Sequence, residues 1–182
     1  MRKIERTKAM RLAATALAAL GLASCGSTPL TGEDADVQQQ PSGPAVVRLV
    51  PAKSVYATEE TVVVQVVIDN AWNVGSTPFH LRYDPAVLEL RPPPVEGPFM
   101  SADGADTVFL WGSDPDHEGE LVIGLSRLAA PQGAAGAGTL VVFEFQAVAG
   151  GNAGFAFTAA SVKDPQAQNM PAAFDTALVT VE

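Results

Sequence analysis

Chemistry in this chain has few residues to work with. Its 182 residues include one cysteine, Cys25, and two histidines, His80 and His117. A hydrolase triad needs a nucleophile on a sharp turn, and no G-x-S-x-G is present. A zinc site needs several His or Cys ligands, and the two histidines lie 37 positions apart with no i, i+4 partner. The run QGAAGAG (Gln132–Gly138) lacks the G-K-[ST] ending of a phosphate loop and leads into a strand, so it reads as a flexible loop. A glycosidase needs two carboxylates across a cleft, and twenty acidic residues offer no way to select a pair.

The acidic stretch DPDHEGELVIGL (Asp114–Leu125) comes nearest to a metal motif. Asp114, Asp116, Glu118 and Gly119 fall at positions 1, 3, 5 and 6 of an EF-hand register, with Leu121 at position 8. Position 12, where a bidentate Glu belongs, is Leu125, and no helices flank the loop. The spacing favours a solvated turn between strands. A weak calcium site built from Asp114, Asp116 and Glu118 is the alternative. No enzyme emerges from these residues, and no cofactor is required by them.

The elements that would position such residues begin with an unusual N-terminus. Five of the eleven basic residues (Arg2, Lys3, Arg6, Lys8 and Arg11) precede the apolar run LAATALAALGLA, Leu12–Ala23. A basic segment, a short apolar core and then small residues make a secretory signal, since a bilayer span needs ~20 apolar residues. Leu22-Ala23-Ser24-Cys25 resembles a bacterial lipobox, which implies cleavage after residue 24 and a diacylglycerol on the Cys25 sulfur. Two or three acyl chains anchor stably where one does not. Gly26, in place of Asp, resembles the Gram-negative pattern for the outer membrane. The expected location is extracytoplasmic and lipid-anchored.

Without residues 1–24 the chain holds six Lys/Arg against nineteen Asp/Glu, a net of −13. Such charge repels phosphate backbones and excludes nucleic acid as a partner. Residues 25–45 hold the lipidated cysteine and a spacer rich in Ser, Thr, Pro, Gly and Gln, too poor in apolar side chains to fold. As a coil, twenty residues reach on the order of 25 Å.

From residue 46 to 182 the pattern is strand after strand. TVVVQVVID places Val62, Val64, Val66 and Ile68 on one side, and PFHLRYD does the same with Phe79, Leu81 and Tyr83. ELVIGLSRL sets Leu121, Ile123 and Leu125 against Val122, Gly124 and Ser126, while TLVVFEFQAV aligns Val141, Phe143, Phe145 and Ala147. Period-two alternation with Gly/Pro breaks predicts half-buried antiparallel strands, about nine of them, in one all-β sandwich.

This domain resembles the bacterial cohesins, the receptor modules that dock dockerins in cellulosome assembly. The residues that carry the resemblance are FHLRYDPAVLEL (Phe79–Leu90), GELVIGLSRL (Gly119–Leu128), GAGTLVVFEFQA (Gly136–Ala147) and DTALVTVE (Asp175–Glu182). The resemblance implies a nine-stranded jelly-roll sandwich, similar to cellulose-binding modules, with no catalysis of its own. It also implies that a calcium-loaded helical partner docks on a sheet face formed by the third, fifth, sixth and eighth strands.

Alternation then places His80, Arg82, Phe109, Trp111, Val122, Gly124, Ser126, Ala156 and Thr158 on that face. Phe109 and Trp111 would anchor a partner, although Val108 and Leu110 are apolar too and alternation alone cannot choose between the pairs. A protein partner, dockerin-like by resemblance, is the leading expectation. Direct binding of polysaccharide is the second, with Trp72, Trp111, Tyr56 and Tyr83 as its whole aromatic supply. A structural role in the envelope or in secretion is the third.

Overall fold

The computed structural model describes residues 41–182. The expected signal peptide, the lipid site at Cys25 and the spacer as far as residue 40 lie outside the described residues. The domain that follows is built from β1 (Ala45–Pro51), β2 (Val55–Tyr56), β3 (Thr61–Val74), β4 (Phe79–Arg82), β5 (Leu88–Glu96), β6 (Thr107–Ser113) and β7 (Glu120–Arg127). It continues through β8 (Ala134–Ala147), β9 (Gly151–Ala160), β10 (Val162–Lys163), β11 (Asn169–Met170), β12 (Ala172–Asp175) and β13 (Ala177–Val181). β2, β10 and β11 are two-residue segments, which leaves ten longer strands where about nine were expected, because the closing run is divided between β12 and β13.

The strands form one sheet in the order β12-β1-β3-β8-β5 and another in the order β2-β13-β9-β4-β7-β6. The closing run DTALVTVE is divided between them. β12 pairs in parallel with β1, and β13 pairs antiparallel with β9 in the other sheet.

Alternation decides which side chains meet. Val62, Val64, Val66 and Ile68 of β3 are fully buried, and so are Val141, Phe143, Phe145 and Ala147 of β8. Phe79, Leu81, Leu121, Ile123, Leu125, Ala153, Phe155, Val179 and Val181 join them in one core from the opposing sheet. Burying a side chain of this size contributes about 1.5–3 kcal/mol, and the aromatic rings add specific contacts. Phe145 lies 5.3 Å from Phe155 across the sandwich and 4.9 Å from Tyr83.

Two features depart from simple alternation. Leu140 is buried beside its neighbour Val141, because the β3–β8 register shifts between Val66 and Val67 and leaves Leu140 unpaired. Such a bulge inserts one residue and lets two consecutive side chains face inward.

The Gly/Ala run is the second departure, and it corrects an expectation. Ala134–Gly138 is not a flexible loop but the first part of the 14-residue strand β8. Its small residues are needed by what they pass. A Cβ on Gly133 would sit 2.1 Å from the Asn73 carbonyl carbon, and one on Gly138 would lie 3.1 Å from the Phe99 ring. Asn73, at φ 54°, turns its side-chain oxygen to accept the Gly133 N–H at 2.8 Å. Asparagine tolerates this left-handed backbone better than other residues with a side chain.

The Tyr83-Asp84-Pro85 corner forms as its residues predict. Asp84 Oδ1 accepts the Ala86 N–H at 2.9 Å, and the Asp84 carbonyl accepts the Leu88 N–H at 2.9 Å. Arg127 pins the single turn at Pro98–Ser101 to the end of β7, donating from Nη1 to the Met100 carbonyl at 2.7 Å and from Nη2 to Asp103 at 2.6 Å.

Candidate docking face

Counted among the strands longer than two residues, the third, fifth, sixth and eighth are β4, β6, β7 and β9. They lie side by side as β9-β4-β7-β6. Residues directly opposite in an antiparallel pair share a face, so the register assigns every side chain. His80 pairs with Val122, Arg82 with Glu120 and Arg82 with Ala156 on its other flank. Phe79 and Leu81 are buried between them. His80, Arg82, Val122, Gly124, Ser126 and Ala156 therefore share the outer surface, as the sequence predicts. Thr158 joins them through a bulge, because Leu81 pairs with Phe157 and His80 with Ala159, leaving Thr158 as the extra residue.

Phe109 and Trp111 are not on this surface. Phe109 pairs with Leu125 and Trp111 with Ile123, both core residues, whereas Leu110 pairs with Gly124 and Val108 with Ser126. Phe109 packs against the core, and Trp111 lies on that same side at the rim of the sheet, 38% exposed. Four consecutive apolar residues gave alternation nothing to act on, and cross-strand pairing with β7 decides the phase. Leu110, 65% exposed, takes the place expected for the aromatic pair, with Val122 and the side-chain-free Gly112 and Gly124 around it. A Cβ on Gly124 would lie 3.9 Å from that of Leu110, so the glycine leaves a shelf beside it.

The residue that organises the face was not singled out by sequence. Glu120 opens β7, points outward and is nevertheless buried, 6% exposed. Its Oε1 accepts from His80 Nδ1 at 2.9 Å and from the Thr158 hydroxyl at 2.8 Å, and its Oε2 accepts from Arg82 Nη2 at 2.9 Å. Three donors from two neighbouring strands replace the water that a carboxylate loses on burial. The hydrogen bond from His80, then those from Thr158 and Arg82, hold the carboxyl down from the usual 4.5 to about 2, against the opposing effect of burial. A strand-initial Glu beside a Gly turn looks like any solvated acid in sequence. Only the pairing of β4 with β7 reveals its partners.

A carboxyl depressed in the folded state stabilises the fold above its unfolded pKa and loses that contribution as pH falls toward the folded value. The deficit of Glu120→Gln relative to the parent protein is therefore expected to be full at neutral pH. It should shrink steadily from about pH 4.5 down to about 2. Urea midpoints measured across that range test this, and a pH-independent deficit contradicts it.

The acidic turn is arranged differently from a calcium loop. Asp114 Oδ1 accepts the Asp116 N–H at 2.9 Å, its Oδ2 faces His117 Nδ1 at 3.2 Å, and its own N–H donates to the Glu120 carbonyl at 2.9 Å. The Asp116 N–H, above all, lowers the Asp114 pKa. Among the described residues, Asp114 converges with His80 and Glu120, not with Asp116 and Glu118. The tryptophans and tyrosines form no common row either. Trp72 belongs to β3 and lines a cavity of about 440 Å³ with Asn73 and Gln132, while Trp111 belongs to β6 in the other sheet and Tyr56 is buried.

The chain matches no family model, and no curated protein matches it in sequence. Solved structures do match. A non-cellulosomal cohesin from the archaeon Archaeoglobus fulgidus superposes with a TM-score of 0.63 at 18% identity, covering 77% of this chain and 92% of its own. A type II cohesin–X-dockerin complex from Acetivibrio cellulolyticus gives 0.66 at 14% identity, over 76% of this chain and 99% of the matched one. A type I cohesin from Pseudobacteroides cellulosolvens gives 0.60 at 17%, over 78% and 94%. Residues 41–182 have a cohesin-like fold.

Proposed function

We propose that this protein is a non-catalytic receptor, held outside the cytoplasm by lipid on Cys25, whose β9-β4-β7-β6 face captures a protein partner carrying a dockerin-like module. The observation that carries the reading is the face itself. Leu110 and Val122 are exposed among Gly and Ala positions, beside an Arg82–Glu120 pair. An apolar anchor next to an ordered charge is the composition of a docking surface, in which a few residues supply most of the affinity. Arg82 spends one Nη on Glu120 and remains half-exposed, so it presents further donors to an acidic or carbonyl group on the partner. The likeness to cohesins supports a protein ligand over a substrate, and a complex with a dockerin is among the matching structures. The spacer would lift the domain clear of the membrane.

The test immobilises the chain, exposes it to secreted and envelope proteins of its source with calcium and then with a chelator, and identifies what is retained by mass spectrometry. A partner held with calcium, released by the chelator and lost on Arg82→Glu is the expected result. Retention unchanged by Arg82→Glu would remove this face from the account. In cells, Cys25→Ser is expected to shift the protein from the membrane to the soluble fraction, and an unshifted distribution would refute the anchor.

A further inference from the structure

Three side chains from separate elements converge at one end of the docking face. His80 comes from β4, Glu120 from the first position of β7, and Asp114 from the residue after β6. One ligand atom from each lies within 4.8 Å of the other two. We propose that His80, Asp114 and Glu120 form a binding site for a first-row transition-metal dication of the zinc, cobalt and nickel class. This inference stands apart from what the face docks.

The donor set selects the ion. An imidazole nitrogen with two carboxylates is a borderline N/O set that suits zinc and its neighbours. Calcium takes six to eight oxygen ligands, and the acidic groups that would supply them, Asp116 and Glu118, do not join the cluster.

The two carboxylate ligands are also oriented from behind, as metal-binding side chains usually are. Glu120 receives Thr158 at 2.8 Å and Arg82 at 2.9 Å. Asp114 receives the Asp116 N–H at 2.9 Å and faces His117 at 3.2 Å, so both imidazoles of the chain fall on this pair of acids. The Asp114 N–H bond to the Glu120 carbonyl ties the two ends of the β6–β7 hairpin together, which holds the carboxylates near each other before any ion arrives.

Without metal, a proton on His80 Nδ1 bridges the imidazole and Glu120 Oε1 at 2.9 Å. An ion placed between the three groups takes the place of that proton at Nδ1, and the neutral ring carries its proton on Nε2 instead. Arg82 stays on Oε2, where its positive charge opposes the incoming one.

The experiment uses the full chain without a histidine tag and with Cys25→Ser, so that no thiol competes. Zinc chloride is titrated calorimetrically, and cobalt(II) binding is followed by visible absorption. The expected result is one zinc per chain, with affinity reduced at least about tenfold by His80→Ala and by Asp114→Asn separately. Asp116→Asn and Glu118→Gln should leave it unchanged, and excess calcium should not compete. The cobalt spectrum should lose its nitrogen-ligand contribution in His80→Ala. Circular dichroism melts of each variant separate lost binding from lost folding. No zinc binding in the Cys25→Ser chain overturns the proposal, and so does binding that His80→Ala leaves intact in a folded variant.

Discussion

Phe145→Ala is expected to destabilise the domain by about 3–5 kcal/mol, the range for removing a buried aromatic ring that its surroundings cannot replace. Phe145 is fully buried in β8, in the middle of the sandwich. Its ring meets Phe143 on its own strand at 6.2 Å, Phe155 on the opposite sheet at 5.3 Å and Tyr83 at the β4 corner at 4.9 Å. Backbone pairing to Val62 of β3 and Leu90 of β5 fixes it from both flanks, so neither sheet can close onto the vacated space without breaking register. The loss includes the transfer of the ring, the cavity left behind and aromatic contacts worth about 0.5–1.5 kcal/mol each beyond area. A melting point lower by on the order of 10 °C follows for a domain of this size. Urea unfolding would show a lower midpoint with an unchanged slope. A loss under about 1 kcal/mol would mean that the sheets slide to refill the core, contrary to the packing described.

The contrast between Phe145 and Phe109 shows where the sequence was legible. In β3, β4, β7 and β8, polar or small residues such as Gln65, His80, Gly124 and Glu144 recur on one side of the strand often enough to fix the phase, and the inward set can be read directly. Val62, Phe79, Leu121 and Phe145 were all placed correctly by that rule. In β6 the residues Val108–Trp111 are all apolar, so the phase is set by hydrogen bonding to β7, which is long-range information. The Gln132–Gly138 run failed for the opposite reason. Gly and Ala have weak strand propensity, but their small size is what β3 and Phe99 require of them. Glu120 was hidden because its partners His80 and Arg82 lie 40 and 38 residues away. Burial of a carboxylate on an outer face depends on those partners and not on its neighbours in the chain.

That same register makes the sharpest functional prediction. If the face docks a partner as proposed, Leu110→Asp is expected to weaken its capture by about 30-fold or more, which corresponds to the roughly 2 kcal/mol of an interface anchor. Leu110 is the most exposed large apolar side chain in the domain, and it pairs with Gly124 on the surface shared by His80, Arg82 and Val122. A carboxylate there adds repulsion to an already acidic protein and removes the apolar contact, while Gly124 gives it no partner. Trp111→Leu, one residue along, should change affinity by no more than about twofold, because Trp111 pairs with Ile123 and lies on the opposite side of the sheet. Titration calorimetry of both variants against the captured partner compares the two faces of one strand. Loss at Trp111 with no loss at Leu110 would reverse the assignment and move docking to the rim of the sandwich. Loss at Leu110 alone would establish that a single cross-strand pairing, unreadable from β6 itself, decides which surface of this protein meets its partner.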